Sequence, residues 1–213
     1  EDVSFIINMT WILMCNYAQT GHYGGPLALS QYNVASHLAG PELGGLRYDI
    51  RRPKHPFSDN FMLTGGHNVP ACYGLWIVLY EAMERQYVSS GDTAYKVDPR
   101  TGFYAVDALG FRRSQGAMNT VLEDYDLTDN PRFEQAKIRG IRALSGHSES
   151  IDATNDVNGG PSGIGIATSA GKALFWDFAD APDTAKVVAI EGEFAMTAGH
   201  AQEMKTIATA QEV

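Results

Sequence analysis

Apolar positions fill nearly every side of the stretch from Val3 to Tyr17, a pattern that predicts a buried helix. Glycines and a proline between Gly21 and Pro26 break it, and a second helix is expected over Leu27–Leu38 with Pro26 in its first turn. Gly40 to Pro56 reads as a loop rich in Gly, Pro and Arg. Phe61-Met62-Leu63 is a short apolar run between Asp59 and the Gly65-Gly66-His67 turn, which marks a strand. Val69 to about Arg85 carries a strong helical pattern, and the polar, aperiodic Tyr87–Thr101 is expected as an inserted surface loop. Val106–Arg113 and Phe133–Leu144 are weaker segments. Ser145–Gly165 is glycine-rich with little apolar content, and Ile164–Phe178 resumes as a helix packed by Ala, Leu, Phe and Trp.

The run Lys186-Val187-Val188-Ala189-Ile190 is β-branched and reads as a buried strand. It stops at Glu191-Gly192-Glu193, and the pattern from Thr197 through Met204, Ile207 and Ala208 is helical. A strand that breaks at a glycine and re-enters as a helix builds ligand sites in open α/β sheets, beside the exposed N–H groups of the helix. A carboxylate at such a turn can hold a divalent cation. Short strands alternating with long helices, with glycine turns at the boundaries, predict an α/β fold: an open parallel sheet with helices on both faces.

Composition adds limits. The 213 residues suffice for one large α/β domain, and 44% hydrophobic with 19% charged residues describes an ordinary globular chain. A formal net charge of −9 argues against nucleic acid or an anionic membrane as partner. Arg47, Arg51, Arg52 and Lys54 cluster, and in so acidic a chain they read as a solvated loop. Cys15 and Cys72 lie in apolar helical patterns without metal-ligand spacing, as buried thiols of a reducing compartment do. No apolar run is long enough to cross a bilayer, and a cytoplasmic location is expected. The chain opens and stops inside helical patterns, so residues 1–213 are expected to form a single domain of a larger enzyme.

Three glycine turns carry a histidine: Gly21-His22, Gly66-His67 and Gly146-His147. Imidazoles on loops where backbone can approach a ligand suit proton transfer and hydroxyl recognition. A fourth turn, Gly159-Gly160-Pro161-Ser162-Gly163, has no charged side chain and must act through its backbone. Taken in order, these pieces resemble the N-terminal, diphosphate-binding domain of the transketolase family. Gly21-His22-Tyr23-Gly24-Gly25-Pro26-Leu27 is similar to its first Gly-His-Pro-Gly motif. Asp59-Asn60-Phe61-Met62-Leu63-Thr64-Gly65-Gly66-His67 is similar to its Asp-Arg-Phe-Val-Leu-Ser-Asn-Gly-His stretch. Leu109-Gly110-Phe111-Arg112-Arg113, Ser145-Gly146-His147-Ser148-Glu149 and Gly160-Pro161-Ser162-Gly163-Ile164-Gly165 resemble further segments of that domain.

The resemblance implies a thiamine diphosphate-binding fold and a thiamine diphosphate- and metal-dependent transferase, with Mg2+ or Ca2+ as the ion. Such an enzyme moves a two-carbon ketol unit from a ketose phosphate to an aldose phosphate. It implies that His22, His67 and His147 serve the reacting centre and that the turn Gly160, Pro161, Ser162 and Gly163 holds the aminopyrimidine. It places the metal and diphosphate motif on Gly192, Glu193 and Phe194, with Glu193 as metal ligand, and a proton-relay glutamate on Glu203. Sugar phosphates would be the substrates, a second pyrimidine-binding domain or subunit would complete the site, and at least a homodimer is implied. Departures from the pattern are Glu193 for an aspartate, Phe194 for a glycine and Ala198 for a relay glutamate. They leave two competing readings: another thiamine diphosphate enzyme (a 2-oxoacid decarboxylating component or a phosphoketolase-like enzyme), or a non-catalytic scaffold subunit.

Overall fold

The computed structural model describes residues 1–113 and 139–212. Within them the chain forms two compact units, Glu1–Asn33 with Pro70–Gly146, and Val34–Val69 with His147–Val213. Five helices are described: α1 (Asp2–Ala18), α2 (Gly24–Leu38), α3 (Val69–Ser90), α4 (Ile164–Phe178) and α5 (Gly199–Ala210). Two three-residue strands, β1 (Asn60–Met62) and β2 (Val187–Ala189), pair in parallel with Phe61 opposite Val188. The described residues are thus mostly helical with a small parallel sheet, which is compatible with the expected α/β class.

In the first unit, α1 ends on Gln19, whose φ of 55° is left-handed and whose N–H reaches the Asn16 carbonyl. Its Ile7, Trp11, Met14 and Cys15 are buried. Gly74 of α3 lets that face come close, since a Cβ there would lie 2.8 Å from the Ile7 carbonyl oxygen. The helix is not enclosed on all sides, as its pattern had implied. Phe5, Met9, Leu13 and Tyr17, at successive steps of four, stand exposed on another face. Burial pushes the Cys15 thiol up to about 11, with Arg112 opposing, so this thiol stays protonated at neutral pH.

Tyr73, Trp76 and Tyr80 of α3 pack their rings against Phe103, and each fully buried aromatic contributes about 1.5–3 kcal/mol through its removal from water. The helix runs past Arg85 to Ser90, because Ser90 Oγ takes the Gln86 carbonyl as acceptor and the polar residues stay in water. Tyr87–Ser90 are therefore helical rather than looped. The weak segment at Val106–Arg113 contains a 3-10 turn, Ala105–Gly110. Of Phe133–Leu144, residues 133–138 lie outside the described residues. Near its end, Arg139 grips the fully buried Asp107 through two parallel bonds, Nη1 to Oδ1 at 2.9 Å and Nη2 to Oδ2 at 2.6 Å. Asp107 also accepts the N–H groups of Tyr104 and Arg142, which satisfies its remaining lone pairs.

In the second unit, Asp59 sits buried at the start of β1 and accepts the N–H of Arg47 at 2.8 Å and of Lys186 at 3.0 Å. One carboxylate thus aligns the beginnings of both strands. β2 is half-buried, not fully buried as its β-branched run had implied. Among the described residues it pairs with β1 along one edge, and α4 packs against it. His37, buried, is a structural histidine: its Nε2 lies 2.9 Å from Thr154 Oγ1 and its ring meets Phe61 edge-on.

Replacing Arg139 by Met should cost about 3–5 kcal/mol in urea unfolding, because it leaves the Asp107 charge buried without its counter-ion. A loss below about 1 kcal/mol would remove this pair as a main support of the first unit.

Candidate functional site

Beyond the carboxyl ends of β1 and β2, where parallel sheets leave backbone groups open to ligands, three turns of the second unit meet. The first, residues 64–68, is tied to the end of β2. The Gly65 N–H and Thr64 Oγ1 both donate to the Ile190 carbonyl at 2.7 Å.

The second, residues 148–163, is held by two buried polar side chains. Ser148 Oγ donates to the Leu63 carbonyl at 2.7 Å and accepts the Gly159 N–H at 3.1 Å. Asn155 accepts the Leu63 N–H at 2.8 Å through Oδ1, and its Nδ2 donates to the carbonyls of Glu149 and Val157. This hook is possible because a side-chain amide offers both an acceptor and two donors. It brings Gly66 and Gly159 backbone to backbone: a Cβ on Gly66 would lie 2.8 Å from the Gly159 carbonyl carbon. The turn ends on Gly163, whose φ of 87° a side chain rarely tolerates.

The third turn follows β2. Glu191 Oε1 accepts the Gly192 N–H at 3.0 Å, while Oε2 is buried and has no partner among the described residues. A buried carboxylate oxygen in that state is where a cation or a ligand donor would be accommodated. Gly192 lies beside Gly65, since a Cβ on Gly65 would stand 3.3 Å from the Gly192 nitrogen.

Among the expected residues, His67 and His147 come together: their ring centroids are 4.6 Å apart with planes at 76°. His67 is exposed on the 3-10 turn Gly66–Asn68, and His147 is half-buried, so a ligand could reach both. Gly160, Pro161, Ser162 and Gly163 lead into the first turn of α4, which has no side-chain cap. Glu193 and Phe194 are exposed, Phe194 at 78%. Glu203 is exposed on α5. His22 belongs to the first unit, exposed between α1 and α2.

Two residues escaped the sequence reading. Glu191 reads in the sequence only as part of the turn, although its place at the end of a β-branched run is a usable signal. His200 lies beside the glycine turn, its Nε2 2.9 Å from where a Cβ on Gly163 would be. Gly199-His200 repeats the Gly-His pair, but inside a helical pattern instead of a loop. Glu203 follows His200 on the same face of α5, one turn on. Together the three turns offer two adjacent imidazoles, a helix N-terminus and an inward carboxylate. Such a set can orient an anionic or hydroxylated ligand and move protons.

A fold with this turn arrangement is transketolase-like. The structure is similar to a transketolase from Leishmania mexicana, with a TM-score of 0.61 and 18% identity over 97% of this chain and 25% of that one. A transketolase variant from Pichia stipitis gives a TM-score of 0.62 and 20% identity over 97% of this chain and 24% of that one. The chain therefore spans about a quarter of the solved transketolases it matches. No family model and no curated protein matches it. At these identities the likeness is one of fold. Among the described residues no helix is long and apolar enough to cross a membrane.

Asn155→Leu keeps the branching at Cγ but strands the Leu63 N–H and two carbonyls, and should cost about 3 kcal/mol in urea unfolding. Hydrogen exchange at the Leu63 amide should rise with it. Wild-type stability and protection would mean that the hook does not hold the turns together.

Proposed function

We propose that this chain supplies the diphosphate-binding half of the active site of a transketolase-like transferase. The reaction is transfer of a two-carbon ketol unit from a ketose phosphate to an aldose phosphate. What carries the reading is the contact between His67 and His147 beside the Gly159–Gly163 turn, at the carboxyl ends of parallel strands. Thiamine diphosphate, when bound, supplies the electron sink for carbon–carbon cleavage.

The residues present fit that cofactor in part. A carboxylate pair in one turn, Glu191 and Glu193, has the oxygen donors that Mg2+ or Ca2+ takes, and the buried Glu191 Oε2 lacks a partner. Among the described residues no three His, Cys, Asp or Glu side chains group closely enough to hold a metal ion. A cation here would complete its shell with backbone carbonyls, water and phosphate oxygens. In this reading Glu193 is the metal ligand, and Gly192, Phe194 and residues 160–163 contact the cofactor. His67 and His147 bind substrate hydroxyls and transfer protons, and Glu203 relays them.

A scaffold role is the second reading. It is favoured by the exposed Phe194 ring, which stands where the family pattern has a glycine close to the diphosphate.

Calorimetric titration of the full-length protein should show thiamine diphosphate binding that requires Mg2+ and is lost in Glu193→Ala. His67→Ala and His147→Ala should each slow ketol transfer by roughly 10²–10⁴ without lowering the melting temperature. Absence of binding would leave only the scaffold reading. Equal losses of stability and rate would make the histidines structural.

The partner in this proposal is a second copy of the chain, or the pyrimidine-binding domain, seated on the exposed face of α1. Phe5, Met9, Leu13 and Tyr17 stand exposed along one face of α1, and Leu27 and Tyr32 are exposed on α2 in the same unit. Leu13→Glu should shift the light-scattering mass of the full-length protein towards the monomer. An unchanged mass together with an unchanged melting temperature would count against this face as the interface.

A further inference from the structure

Four of the chain's 16 basic residues, Arg47, Arg51, Arg52 and Lys54, fall within eight positions of a protein whose net charge is −9. Arg51, Arg52 and Lys54 are exposed, as a solvated loop would have them, and Arg47 is half-buried. Residues 47–58 fold back through successive turns, with Arg52 N–H to the Asp49 carbonyl, His55 N–H to Arg52 and Ser58 N–H to His55. They enclose, with Pro182, a cleft of about 470 Å³ in the second unit. That volume suits a small organic ligand.

The charges on and beside this cleft are unequally satisfied. Asp49 is occupied by Arg51, which donates to both carboxylate oxygens and holds the Asp49 carboxyl below its usual range. Lys54 is taken by Asp156. Arg47 reaches the Phe57 carbonyl through Nη2 and stands 3.7 Å from the buried Asp59 carboxylate, while its Nε is buried and has no acceptor among the described residues. His55 Nδ1 lies 2.8 Å from the Pro56 carbonyl, so it carries the proton and donates, leaving Nε2 for another partner. Arg52 is exposed on the rim. Asp59, Asp49 and Asp156 thus meet Arg47, Arg51 and Lys54, and Arg52 is the fourth cation beside three carboxylates.

Pro56, Phe57 and Pro182 add apolar surface to the lining. Phe57 holds a φ of 60°, a left-handed conformation costly for a bulky residue, and its ring stays partly exposed. Strain at a ring lining a cleft persists where surrounding contacts hold it, and it is most frequent at ligand clamps.

We infer that this cleft binds a small phosphate-bearing organic anion, with the phosphate on Arg47, Arg52 and His55 and a flat apolar body against Phe57 and Pro182. Guanidinium groups match phosphate oxygens in pairs, and a buried Nε without an acceptor is completed by one such oxygen. The site shares no residue with the three turns around His67 and stands whether or not those turns bind thiamine diphosphate.

The probe is ADP, titrated calorimetrically into the full-length protein with inorganic phosphate as a separate arm. ADP should bind saturably and at least about tenfold more tightly than phosphate, and should weaken as salt rises. Arg52→Gln and His55→Gln, both exposed, should each reduce ADP affinity about tenfold while the melting temperature holds. Excess thiamine diphosphate with Mg2+ should leave ADP binding unchanged. The proposal is overturned by absence of saturable ADP binding, by wild-type affinity in both variants, by phosphate binding as tightly as ADP, or by displacement by thiamine diphosphate.

Discussion

A single buried amide holds the second unit in register. Two parallel strands of three residues make too few ladder bonds to stand alone, and isolated pairs are marginal in water even when longer. Asn155 supplies what the ladder lacks. It pairs with Phe61 as an isolated parallel bridge and binds the Leu63 amide with its side chain. It also draws the Glu149 and Val157 carbonyls around itself. Asp59 does the equivalent at the other end, joining the first residues of both strands to Arg47. The sheet is thus extended sideways by side chains acting as backbone, and the turns at its carboxyl end inherit their positions.

Close approach in the candidate site follows from that clamping and from missing side chains. Gly66 lies on Gly159, and Gly165 lies on Thr64 so closely that any Cβ would collide. These contacts hold the His67 turn against the segment leading from His147, and the two imidazoles meet there. The histidines do not organise the site; the glycines and the Asn155 hook do, and the histidines are carried to their places. The first unit is built by different physics. Aromatic rings stacked along α3 are closed off by Arg139 and Arg142, which cover Tyr104 and Phe103 respectively while satisfying buried acceptors.

Much of this was legible in the sequence, for identifiable reasons. α4 begins and ends where the pattern placed it because a glycine turn precedes it and an Asp-Ala-Pro segment follows. Pro26 did announce α2, although the helix starts at Gly24, since a proline is tolerated anywhere in the first turn where the N–H has no intrahelical partner. α3 outran its apolar pattern because Gln86, Ser89 and Ser90 form a solvent-facing end that needs no burial. β2 looked buried because periodicity reports residue type, and its degree of burial depends on how many neighbours the strand has.

By itself the sequence determined which stretches are helical, which turns carry glycine, and which residues carry usable protons. Those are local properties, set by backbone sterics and side-chain chemistry within a few positions. Only the tertiary structure decided that His67 meets His147 while His37 is buried in a structural role, and that Glu191 turns inward beside an exposed Glu193. It likewise decided that Arg47 and Arg52 line one cleft. Each of these depends on contacts between segments far apart along the chain, and neither composition nor spacing encodes which distant backbone will come within van der Waals reach.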